Sequence, residues 1–250
     1  MSDGLIWEPL DKELARWQAA GRVAQFWWRD DDVIAPSKAL DGLLDLSGNN
    51  AVPLTLAAIP AFAGEALAAR LSREPHVLIA VHGWSHDNHA APEEKKQELG
   101  HHRLVEVMLG ELYKGLHLLK AFYPDCFVPM LVPPWNRIDN ALTPQLSALG
   151  FACLSVYGRA EKNSVIPLIN THVDIMDWHG TRGARPQGEL VAALVEELQN
   201  RFGGNGEPIG LLSHHLVHDA AAWDFLKALF EVTARHPAVA WKSSSDLLKA

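Results

Sequence analysis

The sequence predicts an α/β fold, a barrel of about seven or eight parallel βα units, and three observations point there. Short apolar runs alternate with amphipathic stretches along the whole chain. Runs such as VLIAV and IGLL are apolar at nearly every position, as strands buried on both faces of a parallel sheet are. Unusual polar clusters follow the ends of these runs, on the rim where βα barrels build their sites. An open doubly wound sheet satisfies the same periodicity. No Gly-rich phosphate loop follows the first strand, which weighs against a dinucleotide-binding version of it.

Taken in order, DKELARWQAAG reads as an opening helix ended by Gly21, so residues 1–21 form a helical N-terminal extension. RVAQFWW follows as a strand rich in β-branched and aromatic residues. SKALDGLLDLSG is helical, AVPLTLAAI a strand, AFAGEALAARLS a helix and HVLIAVHG a strand. A long helical region is expected from Pro92 to Tyr123. CFVPML, FACLSVY, VIPLINTHVDIM and PIGLLSHH supply further strands, with helices over 139–148, 188–202 and 219–235. VAWK is a last short strand, and residues 1–250 form a single domain without repeat, low-complexity tract or flexible linker.

Composition narrows the function. A net charge of −8 and a pI of 5.9 argue against nucleic acid or an anionic membrane as partner. No apolar segment approaches the ~20 residues of a membrane span. The opening MSDGLIWEPLDKELARW lacks a basic region followed by an apolar run, so a cytoplasmic protein is expected. Cys126 and Cys153 sit in apolar surroundings and are expected as buried thiols in adjacent strands, with no disulfide framework.

The chemistry gathers at strand ends. The first strand runs into Arg29, Asp30, Asp31 and Asp32; the third into HGWSHDNH; later ones into VPPWNR, DIMDWHG and SHHLVHD. Six of the 13 histidines fall within 82–89 and 214–218, which scattered surface histidines would not do. Three consecutive aspartates after an apolar run repel one another unless a cation neutralises them or some face water. An Asp-rich loop that caps the next helix is the plain alternative. His82 and His86, four residues apart, can face one point, and one Asp with two His makes a divalent metal site. His89 reads as a solvent-exposed loop residue rather than a fourth ligand, and His101 and His102 as part of a solvated helix face.

In order and approximate spacing, these clusters resemble the polysaccharide deacetylases, the NodB-homology carbohydrate esterases. The family motif T-F-D-D-G resembles Arg29-Asp30-Asp31-Asp32-Val33, and H-[ST]-x-x-H resembles His82-Gly83-Trp84-Ser85-His86. D-x-x-D-W matches Asp174 to Trp178, and L-x-H matches Leu212-Ser213-His214. Two departures stand out. Val33 replaces the motif glycine, and Val132-Pro133-Pro134-Trp135-Asn136 resembles R-x-P-x-G without its arginine. Arg29 or Arg137 is the nearby substitute for that arginine, which in the family orients the catalytic aspartate.

The resemblance implies a distorted barrel of about seven parallel strands and a metal-dependent hydrolase that removes an acyl group from an N-acylated sugar or small amide. It implies Asp32, His82 and His86 as ligands of a divalent metal, Zn²⁺ by donor type, with Fe²⁺, Co²⁺ or Ni²⁺ sharing the same donors. Asp31 becomes the general base, His214 the acid for the departing amine and Asp174 the partner of His214. A register one residue earlier, with Asp30 as base and Asp31 as ligand, stays open, as does His215 in place of His214. Trp84, Pro134, Trp135, Asn136, Arg137 and Trp178 are the expected substrate contacts, with the metal and a backbone N–H near Trp135 facing the oxyanion. Of the five rim tryptophans, Trp27, Trp28, Trp84, Trp135 and Trp178, two are expected to touch substrate and the others to pack. A degenerate barrel that binds glycan or metal without turnover is the non-enzymatic alternative.

Overall fold

The computed structural model describes residues 4–204 and 206–249. β1 (Ala24–Val33), β2 (Leu54–Ala58), β3 (Val77–His82), β4 (Phe127–Val132), β5 (Cys153–Leu154), β6 (Val173–Asp174) and β7 (Ile209–Ser213) form one parallel sheet in the order β5-β4-β3-β2-β1-β7-β6. β8 (Val239–Trp241) pairs in parallel with the start of β1. Between β5 and β6 the connection is reduced to isolated bridges, Leu154–Leu168 and Tyr157–Thr171. The barrel is therefore distorted, and β1 pairs with three strands, β2, β7 and β8.

Helices cover the outside. α2 (Lys38–Asn50) is started by Ser37, whose hydroxyl accepts the Leu40 N–H. α3 (Glu65–Leu71), α4 (Val105–Phe122), α5 (Leu146–Leu149), α6 (Gln187–Arg201) and α7 (Ala220–Thr233) complete the layer, and Asp219 caps α7 in the same way. α1 (Gly4–Ala19) buries Trp7, Leu10, Leu14 and Trp17, spaced to share one helical face. Trp7 stacks on Phe225 of α7 and Trp17 meets Phe202 after α6, which packs this helix against the layer. No helix among the described residues is long and apolar enough to cross a membrane.

Alternation along β1 separates two cores. Phe26 and Trp28 face the large core between sheet and helices. Trp27 faces the barrel interior with Ala57, Ala80, Val128, Met130, Val132, Cys153 and Ile169. Leu247, in α8 (Ser244–Leu247), and Leu248 pack against this inner cluster. Gly210 on β7 lets the barrel wall close here, since a Cβ would lie 2.5 Å from Trp27 Nε1 and 2.4 Å from the Asn170 carbonyl. Cys153 is buried and its thiol pushed up to about 12, Cys126 is half-buried just before β4, and both are free.

Three expected elements differ. The helix expected from Pro92 begins only at Val105. Residues 92–104 favour helix by composition, but tertiary contacts override propensity. Leu99 bridges to Ile138, and the Glu98 carboxylate turns inward to the loop after β3. The strand expected over 165–176 shrinks to β6, because the Asn170 side chain ties the chain to Val156 N–H and the Gly158 carbonyl. The helix expected over 139–148 is a 3₁₀ turn, Thr143–Gln145, followed by the single turn of α5.

Candidate functional site

The aspartate run ends β1 at the C-terminal rim, and strand period decides which side chain points where. Arg29 and Asp31 follow Trp27 on the inward face; Asp30 follows Trp28 outward. Asp30 is fully buried among outer partners: it accepts from Ser213 Oγ (2.6 Å), His215 N–H (3.0 Å) and His215 Nδ1. Burial pushes its carboxyl up, yet the His215 charge and hydrogen bond outweigh that and hold it below the usual range. Regular alternation would send Asp32 outward as well. Instead the β1–β2 register shifts between Asp30 and Val33, and Asp32 takes a left-handed φ of 75°. Two successive carboxylates, Asp31 and Asp32, thereby serve one cleft. The left-handed residue is Asp32 rather than Val33, so the motif glycine is not required at position 33.

Asp32 Oδ1 lies 3.0 Å from His82 Nε2 and 3.3 Å from His86 Nε2. Donors held at zinc distances in a tetrahedron lie about 3.3 Å apart, so the three residues fit a divalent cation. His82 donates from Nδ1 to the Val132 carbonyl (2.9 Å), which turns Nε2 towards Asp32. Burial pushes the Asp32 carboxyl up, but the His82 hydrogen bond and the surrounding imidazoles more than offset it and hold it well below the usual range. His82 is raised, as its hydrogen bond to Asp32 and the charges of Asp31 and Asp32 overcome burial; His86 is lowered by burial and by His82.

The loop that presents His86 is organised by a residue that sequence reasoning missed. Glu98 is fully buried and accepts the N–H groups of Trp84 (3.0 Å), Ser85 (2.9 Å) and His86 (3.2 Å). Burial pushes its carboxyl up against the pull of those donors. Gly83, at φ 58°, admits it: a Cβ there would collide with the Glu98 carboxylate and Pro134. Nothing in the run EEKKQE distinguishes this glutamate from its solvated neighbours.

Arg29 meets the carboxylate of Asp31 from Nε (2.9 Å, to Oδ1) and Nη2 (3.0 Å, to Oδ2). Its other contacts are Ser155 Oγ (2.6 Å), the Ser155 carbonyl (3.1 Å) and Asn136 Oδ1 (2.7 Å). Arg29 thus makes the aspartate contact for which the arginine-less VPPWN segment has no side chain. Arg137 instead donates to the Lys96 carbonyl (2.7 Å).

Across the cleft, His214 Nε2 stands 4.0 Å from Asp31 Oδ2. His214 N–H is accepted by His218 Nε2 (3.2 Å), whose imidazole burial pushes down to about 4 and keeps neutral. Asp174 lies at the end of β6, its pKa raised by burial. Its oxygens accept from Met176 N–H (3.0 Å) and Trp178 Nε1 (2.8 Å), and the Trp178 ring meets the His214 imidazole edge-on at 4.7 Å.

The rim tryptophans divide. Trp27 and Trp28 are buried, Trp84 lies under Lys114 Nζ at 4.3 Å, and Trp135 packs on His86 at 4.3 Å. Trp135 and Trp178 are the two that touch site histidines. Pro134 packs against Gly83, and Asn136 Oδ1 accepts from Arg29. Trp135 and Asn136 are both left-handed, at φ 56°.

No family model matches the chain, and no curated protein does. Solved structures do. A protein assigned as a polysaccharide deacetylase from Mycobacterium smegmatis aligns with a TM-score of 0.65 at 16% identity, over 92% of this chain and 90% of that one. A family 4 acetyl xylan esterase from Clostridium thermocellum, in complex with a cobalt ion, aligns at 0.53 and 13%, over 90% of each chain. A family 4 pseudoenzyme, crystallised as a mutant with restored activity, aligns at 0.59 and 13%, over 90% of this chain and 68% of that one. The chain has the fold of the polysaccharide deacetylases, at a sequence distance that leaves its chemistry to its own residues.

Proposed function

We propose that this protein is a divalent-cation-dependent hydrolase that removes an acetyl or similar acyl group from the nitrogen of a sugar or a related small amide. The observation that carries the reading is the turn at Asp32, which puts two neighbouring carboxylates in one cleft with different partners. Asp32 belongs with His82 and His86; Asp31 belongs with Arg29 and faces His214.

A cation held by Asp32, His82 and His86 would supply Lewis acidity towards the acyl carbonyl, and zinc suits these donors, with iron, cobalt and nickel as alternatives. Asp31, aimed by the Arg29 fork, takes a proton from the attacking water. His214 gives a proton to the nitrogen as the C–N bond breaks, and the hydrolysis yields an amine and a carboxylic acid. Trp178, held by its hydrogen bond to Asp174, positions His214 by ring contact. Trp135 and Trp178 flank the cleft with aromatic faces suited to a sugar ring.

A barrel that binds metal or glycan without turnover is the competing reading, which the missing motif arginine favours; the contact of Arg29 with Asp31 supports the hydrolase instead. Asp31→Asn separates the two. Acetate release from N-acetylglucosamine oligomers is expected from the wild type and about 10²–10⁴-fold less from the variant. Cation content, read by elemental mass spectrometry, should be equal in both. A wild type that binds cation but frees no acyl group from any amide overturns the hydrolase reading.

A further inference from the structure

We infer that the protein has a second divalent-cation site, formed by Glu94, His101 and His102 in the loop that carries Glu98. One donor atom from each of these three residues lies within 4.8 Å of the others, as in the set Asp32, His82 and His86. His102 Nε2 is 3.2 Å from Glu94 Oε2, again close to the ~3.3 Å edge of a tetrahedral zinc site. The adjacent imidazoles of His101 and His102 lie 3.9 Å apart between centroids and tilted by 42°. Successive residues would diverge on the helix face expected from sequence; outside a helix, both rings reach the same glutamate. Glu94 and His101 are exposed and His102 is partly so, which leaves the remaining coordination positions to water.

The placement gives the site a task. Glu94 and the two histidines stand on either side of Glu98 in sequence, so a cation there closes the loop around it. The same loop is pinned by Arg137 to the Lys96 carbonyl and by the Leu99–Ile138 bridge. It holds the backbone of Trp84, Ser85 and His86 through Glu98. A borderline cation such as Zn²⁺ suits one carboxylate and two imidazoles, and two exposed ligands with a third partly so predict weaker binding than at Asp32, His82 and His86, of which none is exposed.

The test is calorimetric titration of chelator-stripped protein with Zn²⁺. The wild type should take up two equivalents, and His101→Ala/His102→Ala one. His86→Ala should keep the weaker equivalent, which separates failure of this site from failure of the rim site. Because both histidines lie in a surface loop, folding of the double variant is not at stake. Lys95 and Lys96, exposed inside the loop, add a second readout. In His86→Ala, zinc at ten times its dissociation constant should slow tryptic cleavage there about tenfold. A single equivalent in the wild type, or a second one that survives the double histidine variant, overturns the inference.

Discussion

The two faces of β1 each carry a carboxylate beside a histidine, built to opposite ends. Outside, Asp30 and His215 are completely buried, and Asp30 is saturated by Ser213 Oγ, the His215 backbone and the His215 ring. These bonds grip the residues on either side of His214. Inside, Asp31 is met by Arg29 at both oxygens, yet a 4.0 Å gap separates it from His214. Among the described residues, His214 Nδ1 has no hydrogen-bond partner. A buried carboxylate met by three donors maintains shape. A pair with space between its members leaves room for reacting atoms.

The largest effect is expected from removing the inner counter-charge. Arg29→Met leaves Asp31 buried without a partner and should cost about 3–5 kcal/mol in chemical denaturation, with loss of turnover. Arg29→Lys keeps the charge but cannot grip both oxygens, Ser155 and Asn136 together, so it should lose activity with less of the stability. If Arg29→Met unfolds like the wild type, the inner pair is not a charge-compensated unit. The outer face should respond differently: Asp30→Asn is expected to cost about 1–3 kcal/mol of stability, since the amide cannot accept all three donors. Its cation content should stay unchanged and its turnover fall less than in Asp31→Asn. A variant stable as wild type but catalytically dead would reverse the assignment of the two faces.

That division was only partly legible in the sequence. Parallel βα order, the rim position of the clusters and the two histidines at 82 and 86 follow from apolar periodicity and spacing, which local residues encode. The aspartate register does not, because a bulge suspends the period-2 rule at the position that matters, Asp32. The choice between Arg29 and Arg137 depends on the segment at Ser155 and Asn136, more than a hundred residues away in sequence from Arg29. Glu98 was invisible because a buried carboxylate and a solvated one look alike in a charged run. The loop at 92–104 was misread for the same reason: propensity describes a free segment, not one held by Ile138 and by three backbone donors.

Glu98→Gln sharpens the comparison at the third rim element. It puts an amide NH₂ among three backbone N–H groups that need acceptors, loosening the turn that presents His86. Cation affinity at Asp32, His82 and His86 should fall about 10–100-fold in competitive chelator titration, the usual range for supporting partners of metal ligands. Unchanged affinity would mean that Gly83 and Pro134 alone shape the loop.

The smallest effect is expected at Trp178, which links Asp174 to His214. Trp178→Phe keeps an aromatic ring against the imidazole but deletes the Nε1–H that Asp174 accepts. One hydrogen bond contributes about 0.5–1.5 kcal/mol, so kcat should fall several-fold with KM nearly unchanged. Trp178→Ala removes the ring as well and should raise KM if a sugar lies across it. The split between kcat and KM distinguishes the two tasks: positioning the acid appears in kcat, and stacking on substrate in KM. Equal kcat in the wild type and Trp178→Phe would leave Asp174 no route to His214 through this indole and confine its influence to its charge.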